Sequence, residues 1–224
     1  DGGTGEVFEG ALGTVSADYD EQDDLKTVLG WADEVRRLGV WTNADKPEEA
    51  ERARGYGAEG IGLCRTEHMF REGERLEIVR GAILVSGAAM RARAKQEAGG
   101  QLTPEETTAM AQFDGAMLEL EALQQGDFEG IFEAMDGLPV VVRLIDPPLH
   151  EFLPNLEETL VEVTEAGDAA TEEQKQLLAI VQSMHEMNPM LGLRGVRLGL
   201  MIPDFVKIQT RAILNAQVAV NKRG

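Results

Sequence analysis

Short, continuous apolar runs separate longer stretches in which apolar residues recur at helical spacing, and that alternation predicts an α/β architecture built on a parallel sheet. Val40–Asn43, Gly60–Cys64 and Val140–Ile145 are the clearest strand candidates. Val140–Leu144 is uninterrupted by polar residues up to Arg143, as expected of a strand covered by helices on both faces. Pro147-Pro148 ends it, because proline cannot donate to a strand ladder. A fourth strand is expected at Leu191–Leu198, short and interrupted by glycine.

Helical signals fill the intervals. Leu25, Val28, Leu29, Ala32, Val35 and Leu38 form an apolar stripe over residues 16–39, an amphipathic linker helix closed by Gly39. Asp45-Lys-Pro47 opens a helix after the first strand. Residues 74–136 are helical in period and split by Gly99-Gly100, with Thr103-Pro-Glu-Glu106 supplying an N-cap threonine and a reciprocal glutamate. Thr171-Glu-Glu-Gln174 repeats that capping pattern before Leu177, Leu178, Ile180 and Val181. Pro203 opens a final helix with Phe205, Ile208, Ala212, Ile213 and Ala216 on one stripe. Residues 1–15 have a glycine-rich turn followed by alternating apolar positions around Val7, the pattern of a hairpin strand at the tail of a preceding domain. No solenoid repeat is present.

Composition narrows the function classes. The 224 residues are 43% hydrophobic, enough for a core, and the 21 basic against 40 acidic residues give a net charge of −19. So acidic a surface repels nucleic acid and anionic membranes, so neither partner is expected. With no apolar run of membrane length and no signal segment, the expected location is the cytoplasm. A single cysteine, Cys64, excludes an internal disulfide and is expected to act as a small core residue.

Chemistry gathers at the strand ends. Arg65 follows the second candidate strand, Arg143 ends the third, and Arg194 and Arg197 lie in the fourth. Guanidinium groups are always charged and grip carboxylate or phosphate oxygens bidentately, so arginines at the carboxyl rim of a parallel sheet point to a small, densely charged anion. Asp146 and His150 share that rim. Structural ion pairing is the competing role for each arginine in so acidic a chain.

Four segments carry a resemblance: Gly62–Phe70, Asp127–Pro139, Arg143–Pro154 and Asn188–Gly195. Together they resemble the pyruvate, phosphate dikinase family of phosphoenolpyruvate-utilising enzymes, with Asp146-Pro-Pro-Leu-His-Glu-Phe152 the most specific run. Phosphoenolpyruvate synthase and the first enzyme of the sugar phosphotransferase system share the arginine pattern more loosely and are the enzyme alternatives. The resemblance implies a partial TIM-type (β/α) barrel, about its first four strands, over residues 40–224. It also implies that residues 1–15 end a swivelling phosphohistidine domain. The reaction implied is phosphoryl transfer between that phosphohistidine and pyruvate, within the conversion of ATP, pyruvate and phosphate to AMP, phosphoenolpyruvate and diphosphate.

By motif position, Arg65, Arg143 and Arg194 would bind substrate, and Asp146 would be the catalytic carboxylate that orients the site. Mg2+ is the implied cofactor, with ligands from later strands outside this chain, so no metal ligand is expected among its residues. The resemblance implies a carrier histidine upstream in a different motif; His68 and His150 are expected either to hydrogen-bond near the ligand or to be structural, and His185 to be structural. Leu193 stands where a histidine would flank Arg194. The isolated chain is therefore expected to be inactive. Pyruvate or phosphoenolpyruvate and the phosphohistidine domain are the expected partners, with a homodimer as the assembly. The reading from a different class is a non-catalytic half-barrel that acts by association through open sheet edges.

Overall fold

The computed structural model describes residues 1, 3–10, 13, 19, 22–71, 73–185 and 188–223. The chain divides into two compact units, Asp1–Gly39 and Val40–Gly224. In the first, α1 spans Asp23–Val35, with Asp23 and Asp24 in the first turn where the helix dipole favours acids. It ends before Gly39, because Arg36 is already extended at φ −67° and ψ 146°. Leu25, Val28, Leu29, Ala32 and Val35 of the predicted stripe lie on α1, Leu38 falls beyond its end, and no residue of α1 is buried. The strand expected near Val7 does not: the described residues of the glycine-rich start form turns and coil, and Val7 is 97% exposed. A strand needs a hydrogen-bonded neighbour, and the described residues of this unit provide none. Ala11, Leu12, residues 14–18, Asp20 and Glu21, parts of the expected strand and linker helix, lie outside the described residues.

The second unit is an α/β assembly around three parallel strands in the order β1-β2-β3. These are β1 (Thr42–Asn43), β2 (Ile61–Arg65) and β3 (Val140–Arg143). α2 (Pro47–Gly55) follows β1, with its proline in the first turn as predicted. α3 (Thr66–Met69) continues directly from β2, and the long pair α4 (Arg75–Glu97) and α5 (Pro104–Ala134) leads to β3. Thr103 and Glu106 form the predicted reciprocal cap of α5. After β3 come a 3-10 turn at Leu149–Phe152, α6 (Leu156–Ala166) and α7 (Glu172–Met184), the last capped reciprocally by Thr171 and Gln174. A 3-10 turn at Pro189–Leu191, α8 (Gly195–Met201) and α9 (Pro203–Arg223) complete the unit.

The expected fourth strand is therefore a correction. Leu191–Leu198 folds as a turn and the start of α8, and among the described residues the sheet has three strands, short of the four anticipated for a partial barrel. Gly195 explains the change of path, since its φ of +53° is a left-handed conformation that a ladder strand does not use. Leu198 then turns inward as the buried residue of α8.

Two apolar clusters hold the unit together. One joins Cys64, Ile61 and Ala44 of the sheet region to Phe128, Ile131 and Met135 of α5 and its end, and to Ala212 and Ala216 of α9. The other gathers Phe70, Ile83, Phe113, Leu120, Phe152, Phe205 and Ile208 farther along the helices. Helices therefore cover one face of the sheet: Val140 and Val142 pack against the first cluster, while Val141 is 49% exposed. Complete two-sided burial of β3 was expected and is not found, because among the described residues the face bearing Val141 is left half open.

Candidate functional site

The sheet's register creates the site. Arg65 at the end of β2 is the Cα partner of Arg143 at the end of β3, so two guanidinium stems leave neighbouring strands at the same level. Thr66 Oγ donates to the Arg143 carbonyl at 3.0 Å and ties the two strand ends together. Beyond β3, the Ile145 amide donates to the side-chain oxygen of the buried Gln209 on α9 at 2.8 Å, so a helix side chain takes over where the ladder stops.

Each predicted arginine meets a carboxylate. Arg65 donates from Nε and Nη2 to Asp45 Oδ2 at 2.9 and 2.6 Å, and its backbone amide donates to Oδ1 at 2.6 Å. His68 Nδ1 lies 2.8 Å from the same Oδ2. Arg143 pairs with the buried Glu67 and stands 3.5 Å from Asp146 through Nη1. Arg194, the extended N-cap of α8, donates from Nη2 to Asp146 Oδ2 at 2.5 Å. Asp146 thus bridges Arg143 and Arg194, and the Gly195 amide bonds back to its carbonyl at 3.1 Å. The arginines keep partial exposure, 35% for the Arg65 side chain and 38% for Arg143, while the Asp45 carboxylate is 2% exposed.

Electrostatics follows from this pairing. Burial works to raise the Asp45 carboxyl, but the Arg65 side-chain and backbone hydrogen bonds, with the charges of Arg65 and His68, hold it below its usual value. Arg65 and Arg194 are pushed up, foremost by their hydrogen bonds to Asp45 and Asp146 respectively. Burial, reinforced by the Asp45 and Glu67 charges, lifts the Cys64 thiol to about 12.

Arg143, Asp146, Gly195, Leu200, Pro203 and Lys207 help to line a cavity of about 540 Å³. Arg65 and Arg194 do not line it. A smaller cavity of about 150 Å³ lies beside Asp45, Glu48, His68 and Asp127. Of the residues expected at the site, Arg143 and Arg194 are linked by Asp146, while Arg65 is tied to Arg143 by strand register. His150 lies in the 3-10 turn after the strand end, its ring 6.3 Å from that of His185, and His185 sits just past α7.

Asp45, Glu67 and Lys207 belong to this neighbourhood and were not singled out from sequence as binding residues. Asp45 read as the acidic opening of a helix; its position directly after a strand is the signal that could have found it. No cluster of three metal-ligating side chains occurs among the described residues, and Asp45, Glu67 and Asp146 are each engaged by a guanidinium. The rim thus does not fit the Mg2+ implied by the resemblance.

Residues 19–223 match the family described as PEP-utilising enzyme, PEP-binding domain. Among curated proteins, pyruvate, phosphate dikinase 1, chloroplastic, of Oryza sativa subsp. japonica is 46% identical over 204 residues, 90% of this chain and 19% of the relative. Pyruvate, phosphate dikinase of Giardia intestinalis is 41% identical over 223 residues, covering 100% of this chain and 22% of the relative. The enzyme of that name from Rhizobium meliloti (strain 1021) is 41% identical over 218 residues, 97% of this chain and 21% of its own length. The chain spans about a fifth of the length of these relatives. Matched from Tyr19 to Arg223, with the arginine-bearing strand ends inside the match, this chain belongs to the PEP-utilising enzymes as a PEP-binding domain.

Proposed function

We propose that the carboxyl rim of the three-stranded sheet binds phosphoenolpyruvate and pyruvate, as part of a pyruvate, phosphate dikinase. The observation that carries this reading is the register match of Arg65 with Arg143, which brings two arginine-bearing strand ends level with each other. A phosphorylated carboxylic acid bears negative charge at both ends, and two arginines answer both. Arg194, held by Asp146, adds a third cation toward the phosphoryl end, and Asp146 acts as a positioning carboxylate for both of its arginines.

In the direction of phosphoenolpyruvate synthesis, a base supplied by the longer protein takes a methyl proton from pyruvate, and the oxygen of the resulting enolate attacks the phosphorus of a phosphohistidine on the separate carrier domain. The phosphorus–nitrogen bond breaks, and the electron pair returns to the imidazole. Charge spreads over the equatorial oxygens during transfer, where fixed guanidinium groups stabilise it more than they stabilise the ground state. ATP and inorganic phosphate would recharge the carrier elsewhere in the longer protein. Mg2+ belongs to this chemistry in the family, with its ligands expected outside this chain.

Calorimetric titration of phosphoenolpyruvate into this chain tests the reading. Arg65→Ala and Arg143→Ala are each expected to weaken binding at least about tenfold, the loss of a charge-assisted pair. Equal affinity in both variants and the unsubstituted chain would remove the rim as the binding site.

A further inference from the structure

We infer that Asp45 is the positioning residue of the anion site, fixing the Arg65 guanidinium so that only one of its edges is left for the ligand. The inference rests on the proposed binding of phosphoenolpyruvate at the rim and adds to it the residue that organises the site. Asp45 follows β1, two residues after Asn43, and its carboxylate is almost wholly removed from solvent. A buried carboxylate is costly unless its lone pairs are filled. Here they are filled by the backbone amide, Nε and Nη2 of Arg65 and by Nδ1 of His68.

The consequence for Arg65 is geometric. Guanidinium is planar and offers two bidentate edges. Asp45 occupies the Nε and Nη2 edge, and among the described residues Nη1 donates to no partner. The Nη1 and Nη2 edge therefore stays available while the side chain's rotation is stopped. The backbone bond matters as much, because it locks the carboxylate to the same residue whose side chain it holds. An arginine fixed in this way loses less conformational entropy on gripping an oxyanion.

Charge alone predicts the opposite of this role. Asp45 is an anion beside an anion-binding arginine, so a carboxylate that merely stood nearby would, when neutralised, leave phosphate better attracted. A positioning carboxylate would, when neutralised, leave the guanidinium free to wander and phosphate less well held. The sign of the effect separates the two.

The experiment titrates phosphoenolpyruvate calorimetrically into the unsubstituted chain and into Asp45→Asn, Asp45→Glu, Arg65→Ala and the double variant Asp45→Asn with Arg65→Ala, with circular dichroism confirming each fold. Asp45→Asn is expected to weaken binding about tenfold, in the range seen when a residue that orients a ligating group is lost. In the Arg65→Ala background the same change should do nothing further, since the effect runs through Arg65. Asp45→Glu keeps the charge but moves the carboxylate by one methylene, and it should weaken binding even where the asparagine variant does not fold. Tighter or unchanged binding in the folded Asp45 variants, or an equal loss with and without Arg65, overturns the inference. If Arg65→Ala itself leaves binding intact, or the unsubstituted chain binds nothing, the functional reading falls first and takes this inference with it.

Discussion

At the scale of single residues, the guanidinium groups of Arg65, Arg143 and Arg194 are each defined by the carboxylate that holds them. Asp45 holds Arg65, Glu67 holds Arg143, and Asp146 is shared by Arg143 and Arg194. Structural pairing and ligand binding looked like rival roles in the sequence, yet each arginine keeps part of its surface open while one side is paired. Cys64 shows the opposite outcome. Its side chain is fully buried in the sheet cluster, and desolvation first, then the Asp45 and Glu67 charges, raises its thiol to about 12. The folded chain should therefore resist alkylation by iodoacetamide at pH 8 and react only on addition of denaturant, as followed by mass spectrometry. The sign for stability follows. The thiol ionises more readily in the unfolded chain, whose ordinary value is 9.0, so the native state loses relative stability as pH rises above that value.

At the scale of elements, capping and proline placement wrote the helices plainly into the sequence, and α5, α7 and α9 start at the residues those signals mark. The segment after α7 was misread because Val196 and Leu198 alternate with polar or small residues as they would in a strand. Gly195 decides the matter. It occupies φ +53°, and a Cβ there would stand 3.3 Å from Asp146 Oδ1. Gly195→Ala should cost about 1–2 kcal/mol from backbone conformation alone, measured by urea unfolding. It should also disturb the Asp146 to Arg194 pair. An unchanged unfolding midpoint would mean that the turn into α8 tolerates a side chain and that glycine is not what sets it.

At the scale of the whole molecule, the three-stranded sheet of the second unit leaves β1 and β3 as edges and one face of β3 open, with Val141 and Trp41 about half exposed. α8 also exposes Val196 and Leu200. Exposed edges and apolar patches favour pairing with another chain, whereas a net charge of −19 opposes bringing two copies together. Self-association should therefore grow with protein concentration and with salt, which screens the repulsion. Sedimentation velocity at low and high ionic strength would show it, and a monomer under both conditions would contradict it. No helix among the described residues is long and apolar enough to cross a membrane.

Sequence by itself determined the capped and proline-started helices and the three apolar strands, because hydrophobic period, caps and prolines act within a few residues and need no distant partner. It also marked Arg65, Arg143 and Asp146 as charged groups near strand ends, and Arg194 as a charged group in a segment whose fold it misplaced. Tertiary structure alone decided that Arg65 and Arg143 stand in register, that Asp45 and Glu67 hold them, and that Leu191–Leu198 is turn and helix. Those outcomes depend on contacts between residues 20 or more positions apart, whose geometry is set by how helices and strands pack. No local pattern along the chain encodes which carboxylate will fill the space beside a given guanidinium.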